Sequence, residues 1–197
     1  MADSRRDVLR NLRAAQPLPA PLPELHGVGI RYADPREQFA KSVTDVGGRC
    51  VLVAPGASID DELARLPEFV AARKILSLVD GVKRANVDLA SVADAHELQD
   101  LDFCLLVGEL GVAENGAVWI TERGSPHRAA WFLAEHVALV LPAWKIVDNL
   151  HQAYERLSVV GPGFGIFISG PSKTADIEQA LVIGAQGPRS CTVLVTS

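Results

Sequence analysis

The sequence predicts a single α/β domain, built on a mostly parallel sheet with one antiparallel hairpin. Three observations carry this. Runs such as Cys50-Val51-Leu52-Val53 and Phe103-Cys104-Leu105-Leu106-Val107 are apolar at every position, the pattern of strands buried on both faces. Segments with helical spacing alternate with these runs, as crossover-connected parallel strands require. Asn115-Gly116, set between two apolar stretches, is a strong short-range signal for a hairpin turn. The 197 residues are about one domain's worth.

Residues 5–14 read as a helix with Val8, Leu9 and Leu12 on one face and arginines on the other. Pro17, Pro19, Pro21 and Pro23 then enforce an extended, polyproline-like arm. A helix on such an arm packs on its own body or reaches a neighbouring subunit, and the first is the commoner arrangement. The β/α alternation follows: helix 35–46, strand 50–53, helix 59–66, strand 74–79, a short helix near 93–98 and strand 103–107. Past the Glu114-Asn115-Gly116 break come strand 117–120, strand 136–141 and a helix from about 143 to 157. Strand 166–168, helix 175–184 and strand 191–195 close the chain. The expected division is an N-terminal helix and proline-rich arm over 1–34 and an α/β domain over 35–197.

Composition narrows the function. The apolar fraction is 48%, the charged fraction 22% and the net charge −5. These values suit a compact domain and argue against a polyanion-binding surface. The longest uncharged run, ending at Ser172, is too short to span a bilayer and is broken by Gly161, Pro162, Gly163 and Gly165. No apolar stretch follows Met1–Arg6, so a secretory signal is not expected and a cytoplasmic location is. Cys50, Cys104 and Cys191 are far apart and lie in or at the start of apolar runs, which reads as buried free thiols. Scattered in this way they do not suit an iron–sulfur cluster. His127-Arg128 and Glu135-His136 lack the H-E-x-x-H spacing of a zinc site, and His136 reads as a structural residue. No metal site is expected.

Two segments are candidates for chemistry. The first is Ser169-Gly170-Pro171-Ser172-Lys173-Thr174, between a strand and an expected helix. Strand, Gly/Ser loop and helix N-terminus together present backbone N–H groups to an anion, and Lys173 adds a point charge. Thr174 is placed to cap the helix, and Asp176 suits its positive end. The ligand-binding candidates are therefore Ser169, Gly170, Ser172, Lys173, Thr174 and Asp176. Ser172 stands where a Walker A loop needs glycine, and Gly161–Gly165 precedes a strand, so neither nucleotide motif is met. A capped helix without a ligand explains the same residues. The second segment is Glu109–Gly116, beyond the end of strand 103–107, the edge where open α/β sheets bind ligands. Glu109 and Glu114 are the catalytic candidates, because paired carboxylates can divide acid and base roles. A plain turn with two solvated glutamates is the competing reading.

The run Gly170-Pro171-Ser172-Lys173-Thr174-Ala175-Asp176-Ile177-Glu178, with Gly184 and Gly187-Pro188-Arg189, resembles the closing signature of the LUD-domain family. Ala113-Glu114-Asn115-Gly116 resembles that family's weaker second motif, although Glu114-Asn115 departs from its usual acidic and small polar pair. The small stand-alone members form the lactate-utilization protein C group, and the resemblance covers residues 35–197. It implies a Rossmann-like domain similar to the sugar-phosphate isomerase and CoA-transferase fold. It also implies a non-iron–sulfur subunit of a cytoplasmic system oxidising L-lactate to pyruvate. On that reading the chain binds no cofactor of its own, its partner subunits carry the iron–sulfur clusters, and its own catalysis is left open. Two alternatives stand beside it: a free-standing enzyme on a phosphorylated or CoA-like small molecule, and a non-catalytic scaffold. A small anionic ligand fits the first two; no nucleic acid and no membrane span are expected.

Overall fold

A computed structural model describes residues 2–16, 20–21, 23–24, 27–123, 125, 127–157, 163–174 and 182–197. In chain order the first elements are α1 (Ala2–Ala14), α2 (Pro35–Asp45), β1 (Arg49–Leu52), α3 (Ile59–Leu63), α4 (Pro67–Ala71) and β2 (Ile75–Ser77). Then come β3 (Phe103–Val107), β4 (Leu110–Val112), β5 (Ala117–Thr121), α5 (Ala130–Leu133), β6 (His136–Pro142) and β7 (Ile146–Val147). The last are α6 (Leu150–Arg156), β8 (Gly165–Ile168), β9 (Lys173–Thr174), β10 (Val182–Ile183) and β11 (Ser190–Thr196). Three short 3-10 turns, Leu89–Ser91, Ala95–Leu98 and Ala143–Lys145, complete the connections.

The main sheet has the order β1-β11-β6-β3-β2 and is parallel throughout. Its strands are apolar at successive positions because each face meets a different layer. Phe103 and Leu105 of β3 face Leu63 and Phe69 of α3 and α4, while Cys104 and Leu106 face Phe39 and Val43 of α2. The Phe69 and Phe103 rings meet edge-on, 5.2 Å between centroids. Burying a side chain of that size contributes roughly 1.5–3 kcal/mol.

The second face carries more than helices. A four-stranded sheet, β7-β4-β5-β8, lies beside α2 and turns Val118 and Ile120 toward the main sheet. Its outer face, including Val112 and Ala117, packs on Leu150 and Ala153 of α6. The expected hairpin is present, with β4 and β5 antiparallel around the turn 113–116. Gly116 holds φ +66° there, and a Cβ would sit 2.7 Å from the Val43 nitrogen of α2. Only glycine lets the turn approach the helix so closely.

Helix α2 starts where its chemistry directs. Asp34 accepts from the Arg36 and Glu37 amides, and Pro35 occupies the first turn. The expected helix over 59–66 is the shorter α3, and Pro67 opens a further helix, α4, that was not expected. The expected helix from 143 to 157 is confined to α6. Ile146 and Val147 instead pair with Gly111 and Val112, and Asn149 caps α6 by accepting from the Gln152 amide. Of the helix expected over 175–184, residues 175–181 lie outside the described residues. Val182–Ile183 form a strand against Lys173–Thr174, so the end of the expected helix stands in a ladder.

Helix α1 is exposed from Ser4 onward except for half-buried Asp7, and Val8, Leu9 and Leu12 remain in solvent. It does not bury its apolar face on the body, the arrangement expected as the commoner one. The far end of the arm is held: the Asn149 side chain donates to Ile30 O at 2.8 Å, and the Tyr32 amide to Asp148 Oδ1 at 3.0 Å. Among the described residues no helix is long and apolar enough to cross a membrane.

Candidate functional site

The chain leaves β3 at Val107, at the C-terminal edge of the main sheet, and crosses directly to the second sheet. Gly108 donates to Val140 O at 2.8 Å and lies so close to β5 that a Cβ would meet Val118 Cγ1 at 2.7 Å. That crossing delivers Glu109, whose amide donates to Trp119 O at 2.9 Å. Its carboxylate accepts from the Thr121 hydroxyl in a short hydrogen bond, which fixes it at the end of β5. A pocket of about 240 Å³ opens here, with Leu78, Leu106, Val107, Ile120 and Trp131 as its apolar part and Glu109, Thr121 and Arg123 as its polar part. Trp131 is fully buried, and its indole N–H donates to Ser125 Oγ at 3.0 Å. Arg123 is exposed.

Glu114 does not join this pocket. It follows β4, whose extended chain separates it from Glu109 by roughly 15 Å at the usual rise per residue. Glu114 Oε1 accepts from the Leu150 amide at 2.9 Å, and its own amide donates to Asp148 O at 3.0 Å. It anchors the start of α6, where a carboxylate also suits the positive helix end. The expected carboxylate pair is therefore split, and neither member is simply solvated.

The 169–174 loop stands at the opposite edge of the main sheet. Ser169 Oγ donates to Asn115 O at 2.7 Å, tying the loop to the hairpin turn. Gly170 adopts φ +72°; a Cβ there would lie 2.7 Å from Val46 O and 3.2 Å from Lys173 Nζ. The Lys173 ammonium thus sits beside the C-terminal end of α2, whose last turn carries no basic residue of its own. A cation there complements the helix dipole. The Ser172 amide donates to Pro188 O at 2.9 Å and is already engaged. The Thr174 hydroxyl bonds with the backbone of Val182 at 3.3 Å, and Asp176 lies outside the described residues. A second, mostly apolar hollow of about 220 Å³ lies against Gly170, Pro171 and Ser172, with Trp131 as a wall shared with the first pocket.

The other reactive side chains are accounted for by the fold. Burial pushes the Cys50 thiol up to about 11, and Cys104 higher still. Cys191 is pushed up to about 12, again by burial, against the smaller opposing effects of Lys173 and the Gly170 amide. His136 Nδ1 lies 2.8 Å from Ser190 Oγ, a satisfied structural residue. Sequence reasoning missed Thr121, Arg123 and Trp131 as neighbours of Glu109. The signal was available for Thr121. Counting outward from Asn115-Gly116 in hairpin register brings the end of β5 back beside Glu109.

Fold and pocket together define a Rossmann-like α/β domain with a small, partly polar cleft at the C-terminal edge of its parallel strands, the edge such domains use for ligands. Residues 61–196 match the LUD domain model, and the chain belongs to that family. It is 30% identical over 121 residues to lactate utilization protein C of Geobacillus thermodenitrificans (strain NG80-2), covering 58% of this chain and 47% of that protein. It is 34% identical over 122 residues to lactate utilization protein C 1 of Bacillus mycoides (strain KBAB4), covering 58% and 49%. The chain thus matches about half the length of these relatives. A solved DUF162 family protein from Deinococcus radiodurans shares the fold, with a TM-score of 0.66 at 18% identity over 86% of this chain and all of that one.

Proposed function

We propose that this chain is the non-iron–sulfur subunit of a cytoplasmic system that oxidises L-lactate to pyruvate, with the iron–sulfur clusters carried by partner subunits. The observation that carries the reading is its membership of the LUD family together with its similarity to proteins named lactate utilization protein C. The cysteine geometry supports the division of labour. Cys104 and Cys191 lie in one row of the main sheet, separated by Val137, and so stand roughly 10 Å apart at the usual strand spacing. Both are buried, and Cys50 pairs elsewhere along β11. Ligation of a shared cluster needs thiolates converging at one point. The Lys173 ammonium and the Ser172 hydroxyl are the groups of the 169–174 loop that would meet an anion, the Ser172 amide being engaged within the protein.

Deleting the gene and comparing growth on L-lactate with growth on pyruvate tests the reading. Loss on L-lactate alone is expected, and an anaerobic pull-down of tagged protein should bring down iron and L-lactate oxidation together. Unchanged growth on L-lactate would overturn it.

A further inference from the structure

We infer that the Glu109–Thr121–Arg123 pocket is a binding site for a short 2-hydroxycarboxylate, so that this chain itself holds the substrate acid. The inference deepens the lactate reading and rests on it for the substrate class. The pocket supplies the chemistry in three parts. Arg123 brings a guanidinium, which binds a carboxylate through two parallel hydrogen bonds and suits this anion better than an ammonium does. Arg123 makes no ion pair with a described residue, whereas its neighbours Glu122 and Arg128 pair with each other. Glu109 brings acceptor oxygens. The Thr121 hydroxyl donates to Oε1, leaving Oε2 to accept from a substrate hydroxyl. Leu78, Leu106 and Ile120 offer an apolar wall for a short alkyl group. At about 240 Å³ the space suits a three- to five-carbon acid; it equals that of roughly eight waters.

The geometry also sets a preference. A 2-hydroxy group donates to Glu109, whereas a 2-oxo group presents only lone pairs to the same oxygen. L-lactate is therefore favoured over pyruvate, and over propionate, which has no oxygen at that carbon.

The test is calorimetric titration of the purified full chain with L-lactate, pyruvate, propionate and inorganic phosphate at up to about 50 mM, enough to saturate a site of millimolar Kd. Saturable binding of L-lactate is expected, with weaker binding of the other three. Arg123→Gln should weaken L-lactate binding tenfold or more, with the melting curve unchanged because the side chain is exposed. Glu109→Gln should erase most of the preference for L-lactate over pyruvate. Lys83→Gln, which removes an exposed positive charge outside the pocket, should change nothing. Absence of L-lactate binding, or binding unaltered by Arg123→Gln, overturns the inference. The two proposals fail separately. A deletion strain that cannot grow on L-lactate, with a purified chain that does not bind it, leaves the subunit reading standing and removes this one. Binding with unimpaired growth does the reverse.

Discussion

Half-buried Cys50 and buried Cys104 and Cys191 show how loss of solvent governs reactivity. Each is a free thiol, and each is raised above its ordinary value by loss of solvent around the charged form. Thiolate, the nucleophile, appears at Cys50 only as pH approaches about 11 and at Cys191 near about 12. Iodoacetamide at pH 8 should therefore label the native chain far more slowly than a free cysteine, and three adducts should form once the chain is unfolded; intact mass spectrometry reads both. A fast single adduct on the native protein would contradict the burial. These thiols were legible in the sequence because their neighbours are apolar. The surroundings of Glu109 were legible only in part. Thr121, twelve residues away, follows from the hairpin register, whereas Arg123, fourteen away and beyond the end of β5, sits in no recognisable spacing with it.

At the scale of elements, the hairpin turn works as a junction. Ser42 Oγ donates to Ala113 O at 2.7 Å from α2, Glu114 receives the first amide of α6, and Asn115 O receives Ser169. Glu114→Ala removes the acceptor for Leu150 and should cost about 1 kcal/mol, the usual worth of a helix-cap contact, whereas Glu114→Gln keeps an acceptor and should cost less. Gly116→Ala should cost more than either. It combines an unfavourable positive φ, about 1–2 kcal/mol, with a Cβ against the α2 backbone. Urea denaturation of the three variants gives the order. Two differences from the expected elements share one cause. Ile146-Val147 and Val182-Ile183 fall within stretches of helical spacing, yet both pair as short strands because partner edges are waiting, Gly111–Val112 and Lys173–Thr174. Propensity over a few residues yields to such pairing.

Over the whole molecule, two sheets stack with α2 between their edges, α3 and α4 on one outside and α6 on the other. Helix α1 stands outside these layers, with its apolar Val8, Leu9 and Leu12 exposed. Removing residues 2–16 should leave stability within about 0.5 kcal/mol, the range for changes away from the core, as read by thermal melts of the two chains. A larger loss would mean that α1 packs on the body after all.

The sequence by itself determined the class of fold, the strands of the main sheet and the hairpin turn. These depend on local chemistry: apolar runs that suit only doubly buried strands, and a turn dipeptide with its own conformational preference. Tertiary structure alone decided which residues share a site. Strand order places β1 beside β11, near the two ends of the chain, and so sets the 169–174 loop at one edge of the sheet and Glu109 at the other. That separation follows from long-range pairing and from the direction in which each strand runs, and neither is written in any short stretch of sequence.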